Sequence, residues 1–200
     1  MADMARPKIH DDDLRKRLVD EATAIVETDG LGTLSVRSVA RAASTSTTAV
    51  YSLFGSKDDL TRAVLVRALR DFAAAQRDAR TEEPIGHVTA LGTAYVGWAL
   101  DNPRLYELMF GLSALGIEAT EETITAGAEA FAPLHEAVTM AIASGMFRPA
   151  DPTTVTASLW AQVHGASLLL LAGLFPDGAD PVLAISAIVD GWRASAMGDD

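Results

Sequence analysis

Residues 33–60, TLSVRSVARAASTSTTAVYSLFGSKDDL, carry the reading that decides the fold. Ser35 is placed to cap a helix, and Val36, Val39 and Ala40 behind it have one-face helical spacing. The small residues Ala42, Ala43, Ser44 and Thr45 suit a turn between two closely crossing helices. A short second helix follows over about 46–54. Its Val50 and Phe54 lie four apart and face inward, leaving Thr47, Thr48, Tyr51 and Ser52 outward. Gly55 closes that helix, and Ser56 caps a third whose first turn holds Lys57, Asp58 and Asp59. The pattern is a helix-turn-helix followed at once by a capped helix.

Such an outward face suits DNA. Short hydroxyl side chains let a helix approach base edges and phosphates, and a tyrosine offers a phosphate hydrogen bond beside apolar contact with the sugar. Lys57 sits at a helix N-terminus, where its charge adds to the backbone N–H groups that attract an anion. The same spacing also fits a small helical subdomain with ordinary caps and no partner.

Charge at first argues against nucleic acid, because the chain carries a net −11. The distribution changes that. Residues 1–62 hold 9 Lys/Arg against 10 Asp/Glu, whereas the remainder holds 7 against 17. Acidity is concentrated away from the reading head, where Arg6, Lys8, Arg15, Lys16, Arg17, Arg37, Arg41 and Lys57 are available to phosphates. Long-range steering is weak, so local contacts must dominate. With 49% hydrophobic residues in 200, one substantial core or a small and a larger domain is possible. The absence of cysteine excludes disulfides and thiolate metal sites and fits a reducing cytoplasm. No secretory leader pattern opens the chain, and the longest apolar run, about 166–175, is too short to cross a bilayer. The expectation is a cytoplasmic protein with no membrane partner.

Periodicity predicts helices throughout and no strands. The first spans about 11–29, with Leu14, Leu18, Ala22 and Ile25 inward and Gly30 at its end. A longer helix over about 57–79 carries Leu60, Val64 and Ala68 on one side, then Leu65, Leu69 and Phe72, and so leads out of the head. Further helices are expected at about 84–101, 103–113, 118–144 (kinked at Pro133), 152–173 and 181–197. This gives a DNA-binding head over 1–56, a connecting helix over 57–80 and an effector-binding and dimerisation domain over 81–200.

The head resembles the DNA-binding domain of TetR-type transcriptional regulators, whose helix-turn-helix ends in a Tyr-x-x-Phe-x-x-Lys signature. Here that signature is Tyr51, Phe54 and Lys57, and the GLGTLS lead-in and the Ser-Val-Arg-x-Val-Ala run agree in register. The family's usual turn glycine is Ser44, its usual next valine is Thr45, and its common histidine between Tyr and Phe is Leu53, which removes a phosphate contact. The resemblance implies Arg37, Ser46, Thr47, Thr48, Tyr51 and Lys57 as DNA-binding residues. Thr47 and Thr48 would read bases, Tyr51 and Lys57 would position, and Arg37 would reach a guanine or a phosphate.

In the second domain, the helix over 152–173 is apolar nearly all round in its later half and needs burial on both sides. That of 181–197 offers Val182, Ile185, Ile188, Val189 and Trp192. Pairing both with symmetry mates would make a homodimer. Trp160, His164 and Gly165, with the runs NPRLYELMFG and GMFRPAD, resemble a Trp-x-x-x-His-Gly class of C-terminal domain among the same regulators. Gly165 would permit close helix approach. Trp160 and His164 share a helix face, so His164 is either an effector contact or a structural histidine satisfied in the core or across the dimer, the latter preferred. Trp98, Tyr106, Phe110, Phe131, Trp160 and His164 are the effector-binding candidates, with Tyr95, Met109 and Met140 as further ones. They favour a mostly apolar small molecule, since Arg104 and Arg148 are the only basic residues between Pro84 and Asp180. Scattered histidines offer no metal set, no cofactor is implied, and neither a Gly-x-Ser-x-Gly turn nor a triad suggests an enzyme. The expectation is a repressor released from a palindromic operator by an apolar effector. The rival is a small-molecule binding protein with a vestigial head.

Overall fold

The structure, a computed structural model, describes residues 8–111 and 116–194, and these are helical as expected. In order they form α1 (Lys8–Asp29), a 3-10 turn (Leu31–Thr33), α2 (Val36–Ala42), α3 (Thr47–Phe54), α4 (Lys57–Asp78) and α5 (Pro84–Asp101). Then come α6 (Pro103–Gly111), α7 (Glu121–Ala143), α8 (Pro152–Leu171) and α9 (Pro181–Asp190). Arg6 and the expected helix ends at Ser113 and Met197 lie outside the described residues. The chain makes two compact units, Met1–Leu69 with Arg104–Ala126, and Arg70–Pro103 with Gly127–Asp200.

In the first unit α1 packs on α2 and α3. Leu14, Leu18, Ala22 and Val26 are buried at four-residue intervals. Ile25, expected in that stripe, is only half-buried because the stripe continues straight to Val26. Val39 and Val50 meet this stripe from α2 and α3, Leu60 and Val64 from α4, and all are buried. From α6 come the buried Leu105, Tyr106 and Leu108. Arg104 donates to the carbonyls of Thr28 and Glu27, supplying partners that the last turn of α1 lacks internally. Arg67 pairs with Asp20 at 2.5 Å.

In the second unit α5 packs against both α8 and α9. Gly92 makes that approach possible: a Cβ there would stand 2.8 Å from Ile185 Cγ2 and 3.4 Å from Val163 Cγ1. Gly165, expected to serve this purpose, meets nothing within 4 Å, so the close crossing sits on α5 rather than α8. The core joins Ile85, Val88 and Leu91 to Val138, Phe147, Val155, Leu159 and Val189. Glu83, Asp151 and Asp180 each accept backbone N–H bonds at the starts of α5, α8 and α9, and a proline follows each cap. α7 runs through Pro133 without ending there.

The last helix is shorter than the pattern suggested. α9 stops at Asp190, capped by Gly191, and the chain turns back to form a bridge between Phe147 and Arg193. Arg148 N–H donates to Trp192 O at 3.0 Å and Ala194 N–H to Met146 O at 2.9 Å, bonds that a continuing helix would forgo. Trp192 therefore lies beyond α9, its ring under the Arg148 guanidinium at 4.5 Å. Among the described helices α8 is long and apolar enough to cross a membrane by length and composition alone. Yet its Val155, Leu159 and Val163 are core residues, and Thr153, Thr154, Gln162 and His164 interrupt its apolar surface.

Candidate nucleic-acid interface and effector site

The reading head is set by two caps and a turn. Ser35 Oγ accepts from Ser38 N–H at 3.0 Å, and Ser38 Oγ accepts from Ser35 N–H at 3.0 Å, a reciprocal box that fixes the start of α2. Sequence reasoning found the first half of this box and missed Ser38, since a serine there is a less familiar partner than Glu or Gln. At the end of α2, Ala43 N–H bonds Val39 O at 2.9 Å and Thr45 N–H bonds Ala40 O at 2.8 Å. The turn residue between them, Ser44, has φ 52°, the one positive φ of a non-glycine among the described residues. Ser46 then caps α3 by accepting from Ala49 N–H at 3.1 Å.

α3 buries Val50 and Phe54 and exposes Thr47, Thr48, Ser52 and Tyr51, the last at 53%. An aromatic ring left this open on a helix with no shortage of core positions is a surface prepared for contact. Gly55, at φ 80°, ends α3 with its N–H on Tyr51 O at 2.8 Å. Ser56 starts α4 at once, accepting from Asp59 N–H at 3.0 Å and donating to Asp59 Oδ2 at 2.5 Å. That hydroxyl, and after it the Arg62 guanidinium 2.6 Å away, hold the Asp59 carboxyl below its usual pKa. Asp59 is thereby neutralised locally, and Lys57 stays exposed at the N-terminus of α4. Arg37 is exposed in the first turn of α2. Arg15, by contrast, lies 4.9 Å above the Phe54 ring.

The aromatic candidates fall into two groups. Tyr106 and Phe110 pair edge to face at 5.0 Å in the first unit. In the second, Phe72 meets both Tyr95 at 5.1 Å and Trp98 at 5.3 Å, while Phe131 meets Trp160 at 5.9 Å and stacks on His135 at 6.4 Å. Tyr95 links them: Trp160 Nε1–H donates to Tyr95 Oη at 3.3 Å, and that oxygen lies 3.2 Å from His164 Nδ1. An indole only donates, so a neutral imidazole accepting from Tyr95 completes a chain from Trp160 through Tyr95 to His164. Burial lowers the His164 pKa and favours that neutral form. Sequence reasoning named Trp160 and His164 from their spacing but gave no central role to Tyr95, whose partners lie 65 and 69 residues away. His135 was set aside for want of a second metal ligand; here its Nδ1 is 3.3 Å from Thr156 Oγ1. Trp98, Phe131, His135 and His164 are half-buried and Trp160 is 37% exposed, so the cluster is not sealed. The two cations that might have served an anion are engaged, Arg104 on α1 carbonyls and Arg148 on Trp192.

Comparison with known proteins agrees with both regions. Residues 18–64 match the family described as bacterial regulatory proteins, tetR family, and residues 88–191 match the tetracyclin repressor-like C-terminal domain. An HTH-type transcriptional regulator of Mycobacterium tuberculosis is 28% identical over 191 residues, covering 80% of this chain and 81% of the relative. The solved structure of a protein of unknown function from Rhodococcus sp. RHA1 is 28% identical, with a TM-score of 0.79 over 90% of this chain and 93% of that one. A TetR family transcription regulator from Marinobacter aquaeolei VT8 shares the fold at 20% identity, with a TM-score of 0.70 over 93% and 98% of the two chains.

Proposed function

The chain belongs to the tetR family of bacterial regulatory proteins, transcription regulators with a DNA-binding helix-turn-helix, and from that premise we propose that it is a homodimeric, cytoplasmic repressor released from a palindromic operator by a mostly apolar small molecule. Its organisation is a reading head over 1–56, a connecting helix over 57–80 and an effector and dimer domain over 81–200, the latter of the Trp-His-Gly class carried by Trp160, His164 and Gly165. The observation that carries the DNA reading is the outward face of α3, hydroxyls around an exposed Tyr51, flanked by Lys57 at the N-terminus of α4. In this reading α3 enters the major groove, Thr47 and Thr48 contact base edges, and Ser46, Tyr51, Lys57 and Arg37 bind the backbone, with a guanine open to Arg37.

Dimerisation rests on the apolar surface that α8 and α9 leave uncovered. Leu168, Leu169 and Leu171 of α8 and Val182 and Leu183 of α9 are exposed, Leu183 at 67%. A continuous patch of this kind is stable in water only when covered, and a symmetry mate covers both helices at once. Two heads held this way read half-sites one or more helical turns apart, about 34–36 Å per turn. Effector recognition rests on the aromatic cluster of the second unit, through Trp98, Phe131, Trp160 and His164, with Tyr106 and Phe110 as further contacts. Differential binding of the effector to two states of the dimer would change operator affinity about 5- to 150-fold.

The test is a fluorescence-polarisation titration against intergenic DNA flanking the protein's own gene. Saturable, salt-sensitive binding that survives competitor DNA is the expected result. Its absence across that DNA would overturn the repressor reading.

A further inference from the structure

The buried side of α4 in the second unit is Phe72, Ala73 and Gln76, at 4%, 1% and 4% exposure. Phe72 and Gln76 are four residues apart and so share a helix face. A pattern of that kind calls for an apolar residue at the third position, as a leucine or methionine there would close the stripe. The chain has glutamine instead. Its Nε2 is fully buried and meets no hydrogen-bond acceptor, the one buried side-chain nitrogen or oxygen among the described residues left in that condition. Two N–H donors withdrawn from water without an acceptor destabilise a fold, and buried amides are ordinarily matched.

The neighbouring polar groups do not make the same demand. Trp160 donates to Tyr95, and Tyr95 and His164 are within hydrogen-bond distance, so that chain is internally satisfied. Phe72, one turn before Gln76, touches the same Tyr95 and also Trp98. Gln76 thus places an unmatched donor one helical turn from a residue built into the half-open aromatic cluster. Donors held ready in an apolar, aromatic setting select a ligand by what they lack, which here is an acceptor oxygen.

We propose that Gln76 is the specificity-determining residue of the effector site, and that the effector is an apolar molecule with a carbonyl-type oxygen that accepts from the Gln76 carboxamide. This rests on the reading of the aromatic cluster as the effector site and narrows it to a ligand class. A carboxylate is disfavoured, since the amide is neutral and the nearby cations are occupied; a pure hydrocarbon would leave the donors as unmatched as before.

Acetophenone and ethylbenzene, matched in shape and differing in the acceptor, are the probes, titrated by ligand-observed NMR into the full-length protein. Acetophenone is expected to bind about 3- to 10-fold more tightly, the worth of one hydrogen bond to a waiting donor. Gln76→Met keeps the unbranched shape and removes the donors. It should bring the ratio to about one and raise the melting temperature of the ligand-free protein by a few degrees. Equal binding of both probes by the unaltered protein would overturn the acceptor assignment and leave the apolar site standing. A preference that persists in Gln76→Met would place the donor elsewhere. Failure of both probes to bind would overturn the effector site itself, and a lowered melting temperature in Gln76→Met would show the amide to be matched already.

Discussion

Ser44 offers a direct test of how the reading head is held. Its φ of 52° is left-handed, a conformation in which an L side chain crowds the following carbonyl oxygen and costs roughly 1–2 kcal/mol. Nothing else about the position changes in Ser44→Gly. The side chain is exposed, and the backbone bond from Ser44 N–H to Arg41 O, 3.2 Å, remains. Glycine removes the crowding but gives the unfolded chain extra freedom, worth about 0.4–1 kcal/mol against the fold. The balance is about 0.5–1 kcal/mol of stabilisation. For a chain of this size that raises the melting temperature by about 1–4 °C. Ser44→Val moves the other way, since a β-branched residue is poorly tolerated at positive φ, and a loss of about 1–2 kcal/mol is expected. Thermal denaturation followed by circular dichroism reads both, with operator affinity of the glycine variant unchanged as the control. A glycine variant that melts lower than the parent would refute the reasoning, because the strain it relieves would not exist.

The remaining predictions concern DNA, assembly and pH. Lys57→Ala should reduce the slope of log affinity against log salt by about 0.9, as expected for one lost phosphate contact, and Tyr51→Phe should weaken all sequences alike. Thr48→Ala should also flatten the preference between operator and mutated operator; an unchanged salt slope in Lys57→Ala would remove its phosphate role. Leu183→Glu, placing a charge on the 67% exposed position of α9, should convert dimer to monomer in sedimentation velocity, and a dimer that survives it puts the interface elsewhere. His164 and His87 both have pKa values lowered by burial, with Arg80 adding to the effect at His87. Below the ordinary value of 6.5 the unfolded chain takes up protons that the folded one resists, so stability is full above 6.5 and declines as pH falls through it toward the lowered values. Urea midpoints at pH 7.5 and 5.5 should show the drop, and a higher midpoint at pH 5.5 would contradict it.

How much of this was legible in the sequence depends on how local the cause is. Ser35, Ser46, Gly55 and Ser56 act on backbone groups within four residues, so their roles follow from spacing, and the helix starts at Lys57, Pro84, Pro103, Pro152 and Pro181 fall where a cap or proline placed them. The end of α9 was not legible, because what stops it is a bridge to Phe147 more than forty residues earlier. Gly92 was overlooked and Gly165 overvalued for the same reason: whether a missing Cβ matters depends on what faces it, and Ile185 faces Gly92 from another helix. The site follows this rule. Trp160 and His164 share a helix and could be paired by eye, whereas Tyr95, which joins them, comes from α5.

The cation inventory of the head bears on how the protein can bind DNA despite its net −11. Arg15 lies over Phe54, Arg62 is paired with Asp59 and Arg67 with Asp20, so these contribute to the fold before they contribute to phosphate binding. Lys16, Arg17, Arg37, Arg41 and Lys57 are exposed, and of these Arg37 and Lys57 flank α3 at helix starts where backbone N–H groups reinforce them. If each head neutralises about two phosphates through such residues, the dimer has a log–log salt slope of about −4, shallow for a specific DNA-binding protein. Specificity must then come mainly from hydroxyl and aromatic contacts of α3, which are far less sensitive to salt than ion pairs. Titration of the operator complex from 50 to 300 mM salt measures this. A slope steeper than about −8 would show that cations beyond these helices take part and that the outward face of α3 carries less of the binding than its geometry suggests.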